Sequence, residues 1–205
     1  MSQRRQPSQR LLLPLIWFVT ALAYIGILRS DFVYDDIIQI VQNPILHSWR
    51  YLPQYFSEHN SASLLPNTVG NFYRPLILAL KLISYKIFGL NPLWWHTTSL
   101  AVHLAVIGLV FTLAKKIMKD EIGAALAAFI FALHPVNVEV VAWVSGITDS
   151  ILALLVLASL LLYIRYAEEP AGKTRGRGLL LASSVLLYGL ATLTKEAAVV
   201  LPCLI

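Results

Sequence analysis

Four groups of polar residues interrupt an otherwise apolar chain, and their types could do chemistry at a membrane face. They are Asp31-Phe-Val-Tyr-Asp35-Asp36, Tyr73-Arg74-Pro75, His134-Pro135 with Glu139, and Lys195-Glu196. A carboxylate such as Asp35 or Asp36 can take a proton from an attacking hydroxyl held within hydrogen-bond reach. The planar guanidinium of Arg74 suits a lipid phosphate, and Lys195 can neutralise a phosphate that leaves. Glu139 has apolar sequence on both sides, and an ionisable residue at membrane depth is a functional candidate by default. Asp31 reads as a helix-end or loop residue. No ligand spacing here specifies a metal site, so a divalent cation stays open as a cofactor and none is required. His96 and His103 lie seven apart on one helical face and are read as hydrogen-bonding within a helix bundle. Asp149 is read as a helix N-terminal cap.

These groups must be held by membrane-spanning elements. The chain has 205 residues, 58% hydrophobic and 13% charged, with a mean hydropathy of +0.69. A soluble domain carries about 25% charged residues, so this composition reads as an integral membrane protein in contact with a lipid bilayer. The +5 formal charge does not point to nucleic acid, because the basic residues flank apolar spans. A single cysteine, Cys203, excludes a disulfide framework within the chain.

A crossing takes about 20 apolar residues. The spans are expected near 11–28, 93–114, 122–133, 150–164 and 178–194, with another starting at 197 that belongs to a longer protein; an outer loop runs from about 29 to 92. The segment from Arg74 to Leu90 is interrupted by Lys81 and Lys86 and is placed as a helix lying at the outer interface. The short segments that would be cytoplasmic hold Arg4, Arg5, Arg10, Lys115, Lys116, Lys119, Arg165, Lys173, Arg175 and Arg177. That bias puts the N-terminus in the cytoplasm and all four polar groups on the outer side.

The order of the motifs resembles the N-terminal membrane part of the transmembrane and tetratricopeptide-repeat O-mannosyltransferases and their bacterial relatives, within the GT-C superfamily. The residues that carry the resemblance are Phe32-Val-Tyr-Asp35-Asp36 followed by Asn43-Pro44, Tyr73-Arg-Pro-Leu76, and Trp95-His96 with His103. They continue with Phe131-Ala-Leu-His134-Pro135-Val-Asn-Val-Glu139, Ser145-Gly146 and Leu193-Thr-Lys195-Glu196. Where that family often has an arginine after the glycine, this chain has Ile147. The resemblance implies an all-α polytopic transmembrane helix bundle of GT-C type, with an interfacial helix in the first outer loop. It implies a glycosyltransferase that moves a hexose such as mannose from a polyprenyl-phosphate donor to a hydroxyl of an acceptor protein or glycan, with inversion. Asp35 or Asp36 would then be the base, Glu139 a further catalytic group, Arg74 and Lys195 the phosphate partners, and His134 and Glu196 substrate-positioning residues. As a fragment, the chain is expected to be inactive by itself. A bacterial plasma membrane is favoured over the endoplasmic reticulum membrane. The competing reading is a multipass transporter or channel subunit. Its ionisable residues would sit near mid-membrane at broken helices and internal repeats, whereas here they gather at span ends.

Overall fold

The fold is a bundle of antiparallel helices, described by a computed structural model over residues 11–57, 72–170 and 174–204. Arg4, Arg5, Arg10 and Lys173, which served the charge-bias reading, lie outside the described residues. The helices are α1 (Leu12–Tyr24), α2 (Leu52–Ser57), α3 (Pro75–Phe88), α4 (Pro92–Met118), α5 (Glu121–Leu133), α6 (Asn137–Ala142), α7 (Ile147–Glu168) and α8 (Thr174–Thr192). No strand occurs among the described residues. This is the expected all-α membrane helix bundle.

Local sequence sets the helix ends. Asn91 accepts a hydrogen bond from Leu93 N, and Pro92 opens α4 where a missing N–H costs nothing. Asp120 accepts from the backbone of Ile122 and Gly123 to start α5, and His134-Pro135 stops it, because proline disfavours helix for the residue before it. Gly89 ends α3 at φ 59°, a left-handed conformation that glycine adopts without strain.

Among the described residues, three helical stretches are long and apolar enough to cross a bilayer: 12–29, 92–118 and 144–168. The apolar helices α5 and α8 are shorter; α5, with 13 residues, is about 20 Å long against about 30 Å of hydrocarbon. The third long helix differs from its expected bounds. It begins before Asp149 and continues past Arg165, so both charges ride on the helix instead of flanking it.

The core joins α1, α4 and α5 through Ile16, Ile107, Phe111 and the small residues Ala124, Ala128 and Ala132. Alanines let helix backbones approach closely, which favours association in lipid. Ser159 on α7 and Ser184 on α8 each donate to the other's carbonyl, at 2.8 and 2.9 Å. His103 sits 3.1 Å from Ala132 O across α4 and α5, and His96 is buried on the same helix. Ion pairs of Lys115 with Glu121 and Lys116 with Glu168 gather the end of α4, the start of α5 and the end of α7. The opposite end of the bundle carries the candidate site.

At that end α3 is roofed by the described part of the segment that links α1 to it. Leu78, Ala79 and Leu82 pack against Ile45, Leu46 and Tyr55, and Tyr55 Oη donates to Ile45 O at 2.8 Å. Lys86, on the exposed side, donates to His47 O at 2.7 Å. Lys81 faces inward and is 4% exposed.

Candidate active site

The Asp31–Asp36 segment leaves α1 through a short 3-10 turn (Ile25–Arg29) and enters a π-helical turn at Ile37–Val41. Single π turns are frequent at functional sites. Tyr34, between them, has φ 49° and is 85% exposed, a conformation disfavoured for a bulky residue. Adjacent positions on a helical turn point about 100° apart, so the two aspartates diverge.

Asp36 turns inward and is fully buried. Its Oδ1 accepts from the backbone N–H of Ser145 at 2.8 Å and from the Ser145 hydroxyl at 2.6 Å. Its Oδ2 accepts from Val33 N at 3.3 Å. Asp35 turns outward, and its Oδ2 accepts from the Gln39 side-chain amide at 3.2 Å. Asp35 and Glu139 line one cavity of about 620 Å³, with Asp31, Tyr34 and Trp143. Glu139 reaches it from the short helix α6, which the proline after His134 allows to form as a separate element. Gly146 closes the turn behind α6: a Cβ there would lie 3.0 Å from Glu139 O.

A second cavity of about 360 Å³ lies between α3, α4, α7 and α8. Its lining is mainly aliphatic, including Leu76, Ile151 and Leu190, with Trp95 and the hydroxyls of Ser84 and Thr98, and Lys81 is the one charged residue among its described lining. Two ion pairs lie close to it in sequence. Arg74, just before α3, grips Glu196 with Nη2 at 2.9 Å and Nε at 3.3 Å. Lys195 meets Asp149 at 2.5 Å. The backbone hydrogen bond from Leu76 N to Leu193 O, 3.2 Å, draws the start of α3 to the end of α8. The Arg74 hydrogen bond holds the Glu196 carboxyl below the usual carboxylate range.

The arrangement therefore brings Asp35 and Glu139 to one cavity, and pairs Arg74 with Glu196 and Lys195 with Asp149 at the same end of the bundle. Asp36 is an internal anchor with both oxygens engaged. His134 stands apart from both cavities; its Nδ1 accepts from Val136 N at 3.2 Å and shapes the turn after α5. Asp149 forms no helix cap; its carboxylate is committed to Lys195. Among the described residues no group of three or more His, Cys, Asp or Glu could hold a metal ion.

Sequence reasoning assigned no site role to Lys81, Gln39, Ser145, Tyr34 or Trp143. Lys81 carried a usable signal, an ionisable residue inside an apolar run. Gln39 carried none, and Ser145 stood in a family motif that does not name its partner, since their roles arise from residues 42 and 109 positions away.

An all-α membrane bundle with carboxylates at a cavity at one end and an apolar cavity nearby is the architecture of a GT-C-type membrane protein. The chain belongs to the dolichyl-phosphate-mannose-protein mannosyltransferase family, whose model matches residues 74–205. It is 31% identical over 179 residues to human protein O-mannosyl-transferase TMTC2, covering 86% of this chain and 21% of that protein. It is 30% identical to mouse protein O-mannosyl-transferase TMTC1, covering 88% and 20%. To the Caenorhabditis elegans protein O-mannosyl-transferase F38B6.6 it is also 30% identical, covering 87% and 25%. The chain thus spans about a fifth to a quarter of the length of these relatives. No solved structure matches it significantly.

Proposed function

We propose that this chain forms the base-bearing outer face of a mannosyltransferase, which moves mannose from a polyprenyl-phosphate donor to an acceptor hydroxyl, a protein Ser or Thr. The observation that carries the reading is the convergence of Asp35 and Glu139 on one open cavity beside an apolar one. The names of the relatives support the sugar and the protein acceptor.

In this reading the acceptor hydroxyl enters the 620 Å³ cavity and gives its proton to Asp35. The freed oxygen attacks the anomeric carbon from the face opposite the phosphate. The bond from that carbon to the phosphate oxygen breaks, its electron pair leaves with the lipid phosphate, and the anomeric centre inverts. Glu139 accepts hydrogen bonds from sugar or acceptor hydroxyls. The apolar cavity takes the proximal part of the polyprenyl chain. Charge develops on the phosphate in the transition state and is stabilised by fixed cations. Arg74 and Lys195 supply them by exchanging Glu196 and Asp149 for the phosphate oxygens. The outer side of the membrane holds the site, and the N-terminus is cytoplasmic.

Transfer from labelled polyprenyl-phosphate mannose to a Ser/Thr peptide, in membranes carrying the whole protein, tests the reading. Asp35→Asn keeps the shape of the side chain and removes the base. Its rate is expected to fall by about a hundredfold or more. An unchanged rate would show that Asp35 is not the base.

A further inference from the structure

Lys81 is a buried ammonium that neither the acid–base step nor the phosphate step uses. Its Nζ donates to Gln39 Oε1 at 2.6 Å and to Ser145 Oγ at 3.5 Å. An ammonium has donors and no acceptor. The carbonyl oxygen of the Gln39 amide must therefore face it, which turns the amide nitrogen towards Asp35, where it donates to Oδ2 at 3.2 Å. The same logic holds at Ser145. Its hydroxyl donates to Asp36 Oδ1 at 2.6 Å, so the lone pair is what remains for Lys81. One cation thus sets the direction of two hydrogen-bond chains, each ending on a carboxylate of the aspartate pair.

We propose that Lys81 is the positioning residue of this site: it orients the Asp35 carboxylate through the amide of Gln39 and fixes Asp36 through the hydroxyl of Ser145. This rests on the reading of Asp35 as the base. The role requires the charge. A neutral amine could accept as well as donate, and the Gln39 amide would lose its fixed direction. Burial pushes the Lys81 ammonium down to about 8, against the pull of Asp36 and Asp35 and with the help of Arg74 just before its helix. The cavity residues that face it from α4, α7 and α8, among them Trp95, Thr98, Ile147 and Leu190, carry no charge. The orienting charge is therefore lost as pH rises through about 8.

The test is a pH–rate profile of mannosyl transfer in membranes carrying the whole protein. The wild type is expected to lose kcat above about pH 8. Lys81→Met is expected to lose about tenfold to a hundredfold in kcat at neutral pH, as for a displaced reacting group, to keep its donor KM, and to show no alkaline limb. Lys81→Arg keeps a charge that does not titrate below pH 12, and its residual activity is expected to persist at pH 9.5. Gln39→Leu cuts the Asp35 chain without changing charge; its loss and that of Lys81→Met should not add, since both break one path. Lys86→Met, on the exposed side of the same helix, is the control and should leave kcat unchanged. A wild-type kcat and alkaline limb in Lys81→Met, or fully additive losses with Gln39→Leu, would overturn the proposal. If Asp35→Asn is inactive while Lys81→Met is normal, only the positioning role fails. If Asp35→Asn transfers normally, the base assignment fails and the role of Lys81 with it.

Discussion

Asp35 and Asp36 are chain neighbours with opposite surroundings, and their substitutions should separate. Asp35→Asn should cost activity and little stability, because the side chain faces a cavity and has one amide partner. Ser145→Ala, by contrast, strips the hydroxyl from the buried Asp36 carboxylate and from Lys81. Leaving buried charged groups short of a partner should cost about 1–3 kcal/mol, read as an earlier thermal unfolding in detergent. Lys81 adds a pH signature. Its folded value is about 8 against an ordinary 10.5, so between those values the unfolded chain binds more protons. Stability should therefore rise from pH 8 to pH 10.5, over the range in which transfer is expected to decline. Thermal unfolding at pH 7.5 and 9.5, in wild type and Lys81→Met, checks this: the variant should lack the rise.

At the scale of elements, α6 and the turn behind it decide where Glu139 stands. Gly146 approaches the α6 backbone so closely that a Cβ would lie 3.0 Å from Glu139 O and 3.3 Å from Val140 Cα. Neither is the flexible tip of a side chain, so Gly146→Ala must move α6. Overpacking of this kind costs about 1–3 kcal/mol. The displaced Glu139 should also lower the transfer rate by about tenfold; a normal rate would mean that Glu139 does not act from α6. The helix α3 shows how one element serves two surfaces. Positions 78, 79 and 82 pack against Ile45, Leu46 and Tyr55, while 77 and 81 face the apolar cavity. Lys81 and Lys86, five positions apart, point about 140° from each other on the helix, and this matches the double duty: one lysine is buried in a polar network and the other is exposed.

For the whole molecule, the ion pairs at the two ends of the bundle fix which helix ends lie together, and the charge bias predicts which end is cytoplasmic. Single cysteines at positions 119 and 139, in a chain with Cys203 replaced, should react with a membrane-impermeant maleimide from opposite sides of the membrane. Position 139 is expected on the outer side; labelling of both from one side would refute the topology. The spanning helices were legible in composition and length, because a bilayer accepts few other backbones. Their ends were less legible: the 147–168 helix runs past two charges that looked like boundaries, since a helix can carry charges on a wet or paired face.

The sequence by itself determined the helical class, the three long apolar helices among the described residues, the aspartate pair that follows the first of them, and the family. These follow from composition, hydrophobic length and local motif chemistry. Only the tertiary structure decided which aspartate faces the cavity, that Arg74 and Lys195 are already matched with Glu196 and Asp149, and that Lys81 lies beneath the pair. The physical reason is sequence distance. A buried charge is stabilised by partners that chain folding brings from 42 or 109 positions away, and no local pattern of residues records which partner will arrive.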